Sequence, residues 1–290
     1  MPKKVLFPTL FEALALPCVE LLYPLKAAGL EEIVLLHVID RDDVGYVPFG
    51  GFDRGEAEDL KDRAQLRFAD WARSVEGAGL RCTRVVETGR PAAKILEVAA
   101  REEVDLIVTG RQRHLPLDAA YLGGTSLEVL RRSPVPVLVL KSCDRGLCAA
   151  GGAAPFRLLL ATDLAPASEP ALAFVRGLRG AAPRVDVVHV VRKDELEKLD
   201  ETGLEREQAA RRERIEGICA GLRADGFTAD GHVRGGEVAD EVLGAAADLQ
   251  STLIVTGTTE KQWLQELLHG SPSHRLAELS PVPVLLVPAA

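Results

Sequence analysis

No run of apolar residues in this chain approaches the roughly 18 needed to cross a membrane as a helix, so no membrane span is expected. The N-terminus, MPKKVLFPTLFEALALP, starts basic and turns apolar, as a secretory signal does. Pro8, Glu12 and Pro17 interrupt it, and Lys4 to Pro8 corresponds to Arg157 to Ala161 later in the chain, so it is read as a first strand and a cytoplasmic location is expected. A basic surface is also missing. The formal charge is −8, with 19 basic and 21 acidic residues before position 142 and 16 and 22 after it. Nucleic-acid binding draws its main affinity from clustered Lys and Arg against phosphates, and neither half supplies such a cluster. The cysteines are odd in number and scattered at Cys18, Cys82, Cys143, Cys148 and Cys219, which offers no disulfide framework; only Cys143 and Cys148 are near one another.

Catalytic constellations are lacking too. Ser126 and Ser273 stand where helices open, which helix capping would explain, and no nucleophile with its base or pair of carboxylates can be picked out. His37 and His189 sit at strand ends and suit packing or a site wall. His269 and His274 lie close together without a third metal ligand. The sequence thus leaves catalysis undecided, with a protein that is not an enzyme the favoured reading.

What the chain does have is repetition. Val108 to Lys141 recurs in outline as Val255 to Pro288, and Gly110, Gly123, Ser126 and Pro136 match Gly257, Gly270, Ser273 and Pro283 at a constant offset without a gap. The 290 residues thus divide into a first domain over 1–141, a linker over 142–155 that is rich in Gly and Ala, and a second domain over 156–290. Each half is long enough for its own core.

Both halves alternate short β-branched runs with helical patterns. VLFPT, IVLLHVI, CTRVVET, VDLIVTG and VPVLVL read as strands in the first, and RLLLATD, VDVVHVV, TADGHVR, STLIVTG and VPVLLVP in the second. PAAKILEVAAREE and EVADEVLGAAADL carry apolar residues at helical spacing. Near-continuous apolar strands between helices imply parallel sheets covered on both faces. The expected fold is therefore α/β: two doubly wound, Rossmann- or flavodoxin-like domains, each with a five-stranded parallel sheet and any ligand at the strand carboxyl ends. Each half closes on an apolar strand, PVPVLVL or PVPVLLV, that would be an exposed edge if left alone, so the halves are expected to pack about a pseudo-two-fold as an intramolecular pseudo-dimer. A homodimer is the further option. The irregular stretch RDDVGYVPFGGFDRG after the second strand reads either as a lid or as an ordinary surface loop.

The glycines after the fourth strand permit close backbone approach, and a following helix N-terminus attracts anions. By themselves they leave phosphate binding and plain turn geometry both open. The order of elements goes further, because it resembles the universal stress protein family over nearly all of both halves. That family has a first strand ending in Thr-Asp, a second ending in His-Val, a Gly-x-Pro helix start, the loop G-x2-G-x9-G-[ST], and a closing Pro-Val-Pro-Val-Leu-Val strand. The first half offers Thr9, His37-Val38, Gly89 to Pro91, Gly110, Gly123 and PVPVLVL; the second offers Thr162-Asp163, His189-Val190, Gly236, Gly257, Gly270-Ser271 and PVPVLLV.

The resemblance implies a regulatory role in the stress response and adenine nucleotide, ATP or AMP, as ligand. In nucleotide-binding members the Asp and the backbone after the second strand lie by the adenosine, and the loop holds phosphates. Carried over, the site comprises Asp163, Val190, Gly257, Glu260, Gly270, Ser271 and Ser273. The first half departs, with Leu10 at the Asp position, Arg113 at the second loop glycine and Gly124 in place of the hydroxyl. Arg111, Arg113 and His114 would suit a small anion but crowd a nucleotide. In the second half the second loop glycine is Glu260. A carboxylate roughly 5 Å from a phosphate charge costs about 3 kcal/mol at an effective dielectric near 20. Lys261 or a bridging cation would offset part of that, so binding is expected to be weak and confined to the second domain. The competing expectation is a nucleotide-independent scaffold whose degenerate loops contact an unidentified protein partner. An adenylate-transferring enzyme, lacking any activation motif, ranks below both.

Overall fold

The computed structural model describes residues 2–11, 15–40, 46–47, 51–52, 54–110, 122–140, 155–198, 200–258 and 271–289. The chain forms two compact units, Met1–Ala153 and Ala154–Ala290.

In the first unit β1 (Lys4–Pro8) leads through α1 (Leu16–Glu20) and a short 3-10 turn, Tyr23–Ala28, to β2 (Glu32–Ile39). A minimal antiparallel pair, β3 (Tyr46–Val47) with β4 (Gly51–Phe52), stands within the irregular stretch. There follow α2 (Arg54–Gly77), β5 (Arg81–Thr88), α3 (Pro91–Arg101), β6 (Leu106–Gly110), α4 (Gly124–Arg132) and β7 (Val137–Leu140). The sheet order is β7-β6-β1-β2-β5. All its pairings are parallel, with Ile107 opposite Val137, Val5 opposite Leu106, Lys4 opposite Glu32 and Ile33 opposite Cys82.

The second unit repeats this plan. Its elements are β8 (Arg157–Ala161), a 3-10 turn Pro166–Ser168, α5 (Glu169–Gly177), β9 (Arg184–Arg192), α6 (Lys193–Leu196), α7 (Glu201–Ala224), β10 (Thr228–Gly236), α8 (Val238–Asp248), β11 (Leu253–Thr258), α9 (Pro272–Leu279) and β12 (Val284–Pro288). Its parallel sheet runs β12-β11-β8-β9-β10. Both expected five-stranded parallel sheets are present. In each, the first strand is flanked by the second on one side and the fourth on the other, so the winding reverses there and opens a crevice at the carboxyl ends.

The strands are apolar because both faces are covered: Val5, Leu6 and Phe7, and likewise Leu158, Leu159 and Leu160, are buried. The covering helices bury matching faces. Ala92, Ile95, Val98 and Ala99 of α3 correspond one for one to Ala239, Val242, Ala245 and Ala246 of α8. The two 24-residue helices α2 and α7 were not singled out by the apolar pattern. They bury narrow stripes, Phe68, Ala72 and Val75 in one and Ile215, Cys219 and Leu222 in the other, spaced one turn apart on otherwise charged surfaces.

Each sheet also buries a carboxylate with full compensation. Asp186, 1% exposed, accepts from Arg184 Nε and Nη2 at 3.1 and 3.3 Å and from His232 Nε2 at 3.1 Å. Glu32 is held by Arg81 at 2.9 Å, Lys4 at 3.5 Å and the Thr83 hydroxyl at 2.8 Å. Cys82 and Cys219 are free thiols, and burial raises both to about 11, so neither is a thiolate at neutral pH. Cys18 is disulfide-bonded, a pairing that the cysteine spacing did not suggest.

Candidate functional site

The second unit's crevice is a cleft of about 250 Å³ at the carboxyl ends of β8, β9 and β11. It is built outward from the turn that ends β8. Thr162 N donates to Val188 O at 3.0 Å, continuing the ladder one residue past the strand, and the Thr162 hydroxyl accepts from Leu164 N at 3.0 Å. That closes a tight turn that puts Leu164 at φ 61°, where a bulky side chain is strained. The surroundings hold it there. Leu164 is buried, its carbonyl accepts from Arg214 of α7, and the Thr162 carbonyl accepts from His189 Nδ1 at 2.9 Å.

The turn presents Asp163 to the cleft. Its Oδ1 accepts from Ala165 N at 2.9 Å and from the Ser168 hydroxyl at 2.6 Å. Oδ2 has no hydrogen-bond partner among the described residues. Opposite stand His189 and Val190 of β9, with Arg192, Glu195 of α6 and Arg211 of α7. Arg211 Nη1 donates to His189 Nε2 at 2.6 Å, while Nη2 reaches Glu195 at 3.0 Å and Nε reaches Glu207 at 2.7 Å. With Nε2 accepting and Nδ1 donating to a carbonyl, His189 is neutral. Burial, joined by the adjacent Arg211 guanidinium, holds its imidazole below the usual histidine value.

His37 of the first unit is lowered in the same way, by burial and by Arg67, and its Nδ1 meets Thr9 O at 2.9 Å. Both shifts depress the native value below the ordinary 6.5. The unfolded chain therefore takes up protons first as the pH falls through 6.5. Stability is full above that point and is lost progressively below it, down to the native values. The denaturant midpoint is thus expected to fall between about pH 7 and about pH 5.5, and His189→Gln should flatten that slope for the second unit. A midpoint that does not move on acidification would contradict this.

Of the residues implied by the motif, Asp163, Val190, Gly257 and Ser273 line this one cleft. Ser271 stands just before it, its side chain capping α9 by accepting from His274 N at 3.1 Å. Glu260 and Gly270 lie outside the described residues, as do Arg111, Arg113, His114, Cys143, Cys148, Lys261, His269 and residues 142–154 of the linker. Ser126 and Ser273 are not the caps that sequence position suggested. The cap positions are Gly123 and Ser271, and the two hydroxyls instead reach back to Gly110 O at 2.8 Å and Gly257 O at 3.4 Å. Ser168, Glu195, Arg211 and Arg214 were missed. For Arg211 a usable signal exists, since it stands one turn before Ile215 on the buried stripe of α7.

The first unit keeps the turn and loses the chemistry. Thr9 and Phe11 repeat the arrangement, with Phe11 N on the Thr9 hydroxyl at 2.8 Å and Phe11 at φ 66°. Leu10, 49% exposed, replaces Asp163. The Phe11 ring packs on His37 and on Phe68, each at 4.9 Å, with Arg67 over its face at 5.2 Å. The cleft beside it measures about 130 Å³, and the described residues that line it include no ionisable side chain.

Fold and clefts together define a tandem, doubly wound α/β protein with one polar and one apolar crevice at the strand carboxyl ends. The chain belongs to the universal stress protein family, whose model matches it twice, over residues 1–141 and 156–288. A universal stress protein of Methanocaldococcus jannaschii is 27% identical over 155 residues, 49% of this chain and 96% of that relative. Among solved structures, a universal stress protein from Archaeoglobus fulgidus superposes with a TM-score of 0.78 at 21% identity, covering 99% of both chains. A putative universal stress protein from Pseudomonas aeruginosa gives 0.66 at 19% identity, covering 99% of this chain and 94% of that one. These two likenesses speak for the fold. Among the described residues no helix is long and apolar enough to cross a membrane.

Proposed function

We propose that this is a cytoplasmic regulatory protein of the stress response that binds one adenine nucleotide, weakly, in the cleft of its second unit. The observation that carries the reading is Asp163, set at the carboxyl end of β8 with one carboxylate oxygen satisfied by protein and the other left without a described partner. A carboxylate accepts only, so it calls for a ligand with donors, and the amine and hydroxyls of adenosine supply them. The Val190 backbone lies across the same cleft, and Ser273 with the start of α9 supports the end where phosphates would sit. In this reading the nucleotide acts as a signal and is not turned over. Equilibrium dialysis of the full chain with ATP, AMP and cyclic AMP, with analysis of the recovered nucleotide, tests this. One saturable site per chain and unaltered nucleotide are expected.

A second reading is a nucleotide-independent scaffold. The apolar cleft of the first unit, with Leu10 in the Asp163 position, favours it for that half. Absence of any retained nucleotide would extend it to the whole chain.

A further inference from the structure

We propose that Ser168 is a positioning residue for ligand binding: by holding Oδ1 of Asp163 it directs Oδ2 to the ligand in the second unit's cleft. The proposal rests on the nucleotide reading above and adds a residue that the motif quoted above does not include.

Ser168 is the last residue of the 3-10 turn that runs into α5, so it lacks the extended backbone from which a serine caps a helix. It makes no capping bond here. Its own backbone is already helical, at φ −84° and ψ −12°, and its hydroxyl donates to Asp163 instead. Asp200 and Ser271, whose backbone is extended before α7 and α9, do cap their helices. At Ser168 the hydroxyl serves the carboxylate and not the helix. A carboxylate about its terminal torsion is otherwise broadly free. Two donors on one oxygen, Ser168 Oγ at 2.6 Å and Ala165 N at 2.9 Å, fix it.

The turn that carries Ser168 is seated by Gly257. A Cβ there would stand 3.2 Å from the Ala167 carbonyl oxygen and 3.6 Å from Ser168 Cα, backbone atoms that cannot swing aside. The glycine therefore supports the Asp163 end of the cleft, whatever it does for phosphates. The first unit supplies an internal control. There the counterparts of Asp163 and Ser168, counted from the shared threonine, are Leu10 and Ala15, although Thr9 and Phe11 preserve the turn itself. A serine needed only for the turn would have stayed with the turn; this one is absent where the carboxylate is absent.

The test is titration of the full-length chain with adenosine, AMP and ATP, comparing wild type with Ser168→Ala, Ser168→Thr, Gly257→Ala and Asp163→Asn, with a thermal midpoint for each. Ser168→Ala should weaken all three ligands alike, on the order of tenfold, because a charge-assisted hydrogen bond at the adenosine end is lost. Its thermal midpoint should match wild type, there being no cap to lose, and Ser168→Thr should restore affinity. Gly257→Ala should show the same ligand-independent loss. Wild-type affinity in Ser168→Ala while Asp163→Asn loses binding overturns the positioning role and leaves the nucleotide reading standing. A loss that threonine fails to restore, or that grows with phosphate number, also overturns it. If wild type itself retains no ligand, both fall together.

Discussion

Asp163→Ala should abolish measurable nucleotide retention by the full-length chain. The substitution removes the acceptor that no described protein group uses, and with it a charge-assisted hydrogen bond of about 1.5–3 kcal/mol, or roughly tenfold to a hundredfold in affinity. Binding as weak as proposed would then drop below detection. The fold should be little affected. Asp163 is exposed, and the turn it belongs to is held independently by the Thr162 hydroxyl, by His189 and by Arg214. Equilibrium dialysis beside a thermal melt separates the two effects. Unchanged dialysis curves at unchanged stability would move the site elsewhere.

The largest stability effect is expected at Phe68→Ala. Phe68 is 0% exposed on the buried stripe of α2 and contacts Phe11 and Trp71 with ring centroids 4.9 and 6.2 Å apart. Truncation removes its transfer free energy and leaves a cavity in a rigid setting, since the neighbours are themselves large rings. Such changes cost about 3–5 kcal/mol. Trp71 lies in the same cluster and reports the loss directly, so its fluorescence should show the first unit unfolding at lower guanidinium concentration. A change below about 1 kcal/mol would mean that the cluster collapses freely onto the vacated space.

The strands were legible because a strand buried on both faces must be apolar throughout. VDVVHVV and STLIVTG therefore fall on β9 and β11, whose observed bounds are Arg184–Arg192 and Leu253–Thr258. The long helices α2 and α7 were harder. Their buried stripes include Ala72 and Cys219, weak signals among many charges, and packing against the sheet holds these helices more than their own amphipathicity does. The site was legible only where a motif runs along the chain. Asp163 follows the end of β8 and Val190 lies near the carboxyl end of β9, and the strand order alone brings them to one crevice. The contacts of Ser168 with Asp163 and of Arg211 with His189 are not encoded in spacing, although the turn from Arg211 to Ile215 marks the face of α7 on which Arg211 stands. Arg211 is 22 residues from the histidine it bonds. The reading of Ser126 and Ser273 as caps failed for a related reason. The cap is the residue whose backbone is extended just before the helix, at Ser271 φ −63° and ψ 150°, and residue type alone does not locate it.

The assignment of the ligand to one unit is tested most directly by a crystal structure of the full-length chain grown with saturating AMP. The account predicts nucleotide in the second unit alone, its adenosine against Asp163 and the Val190 backbone. Nucleotide seated beside Leu10 in the first unit, or no nucleotide in either cleft, would contradict it.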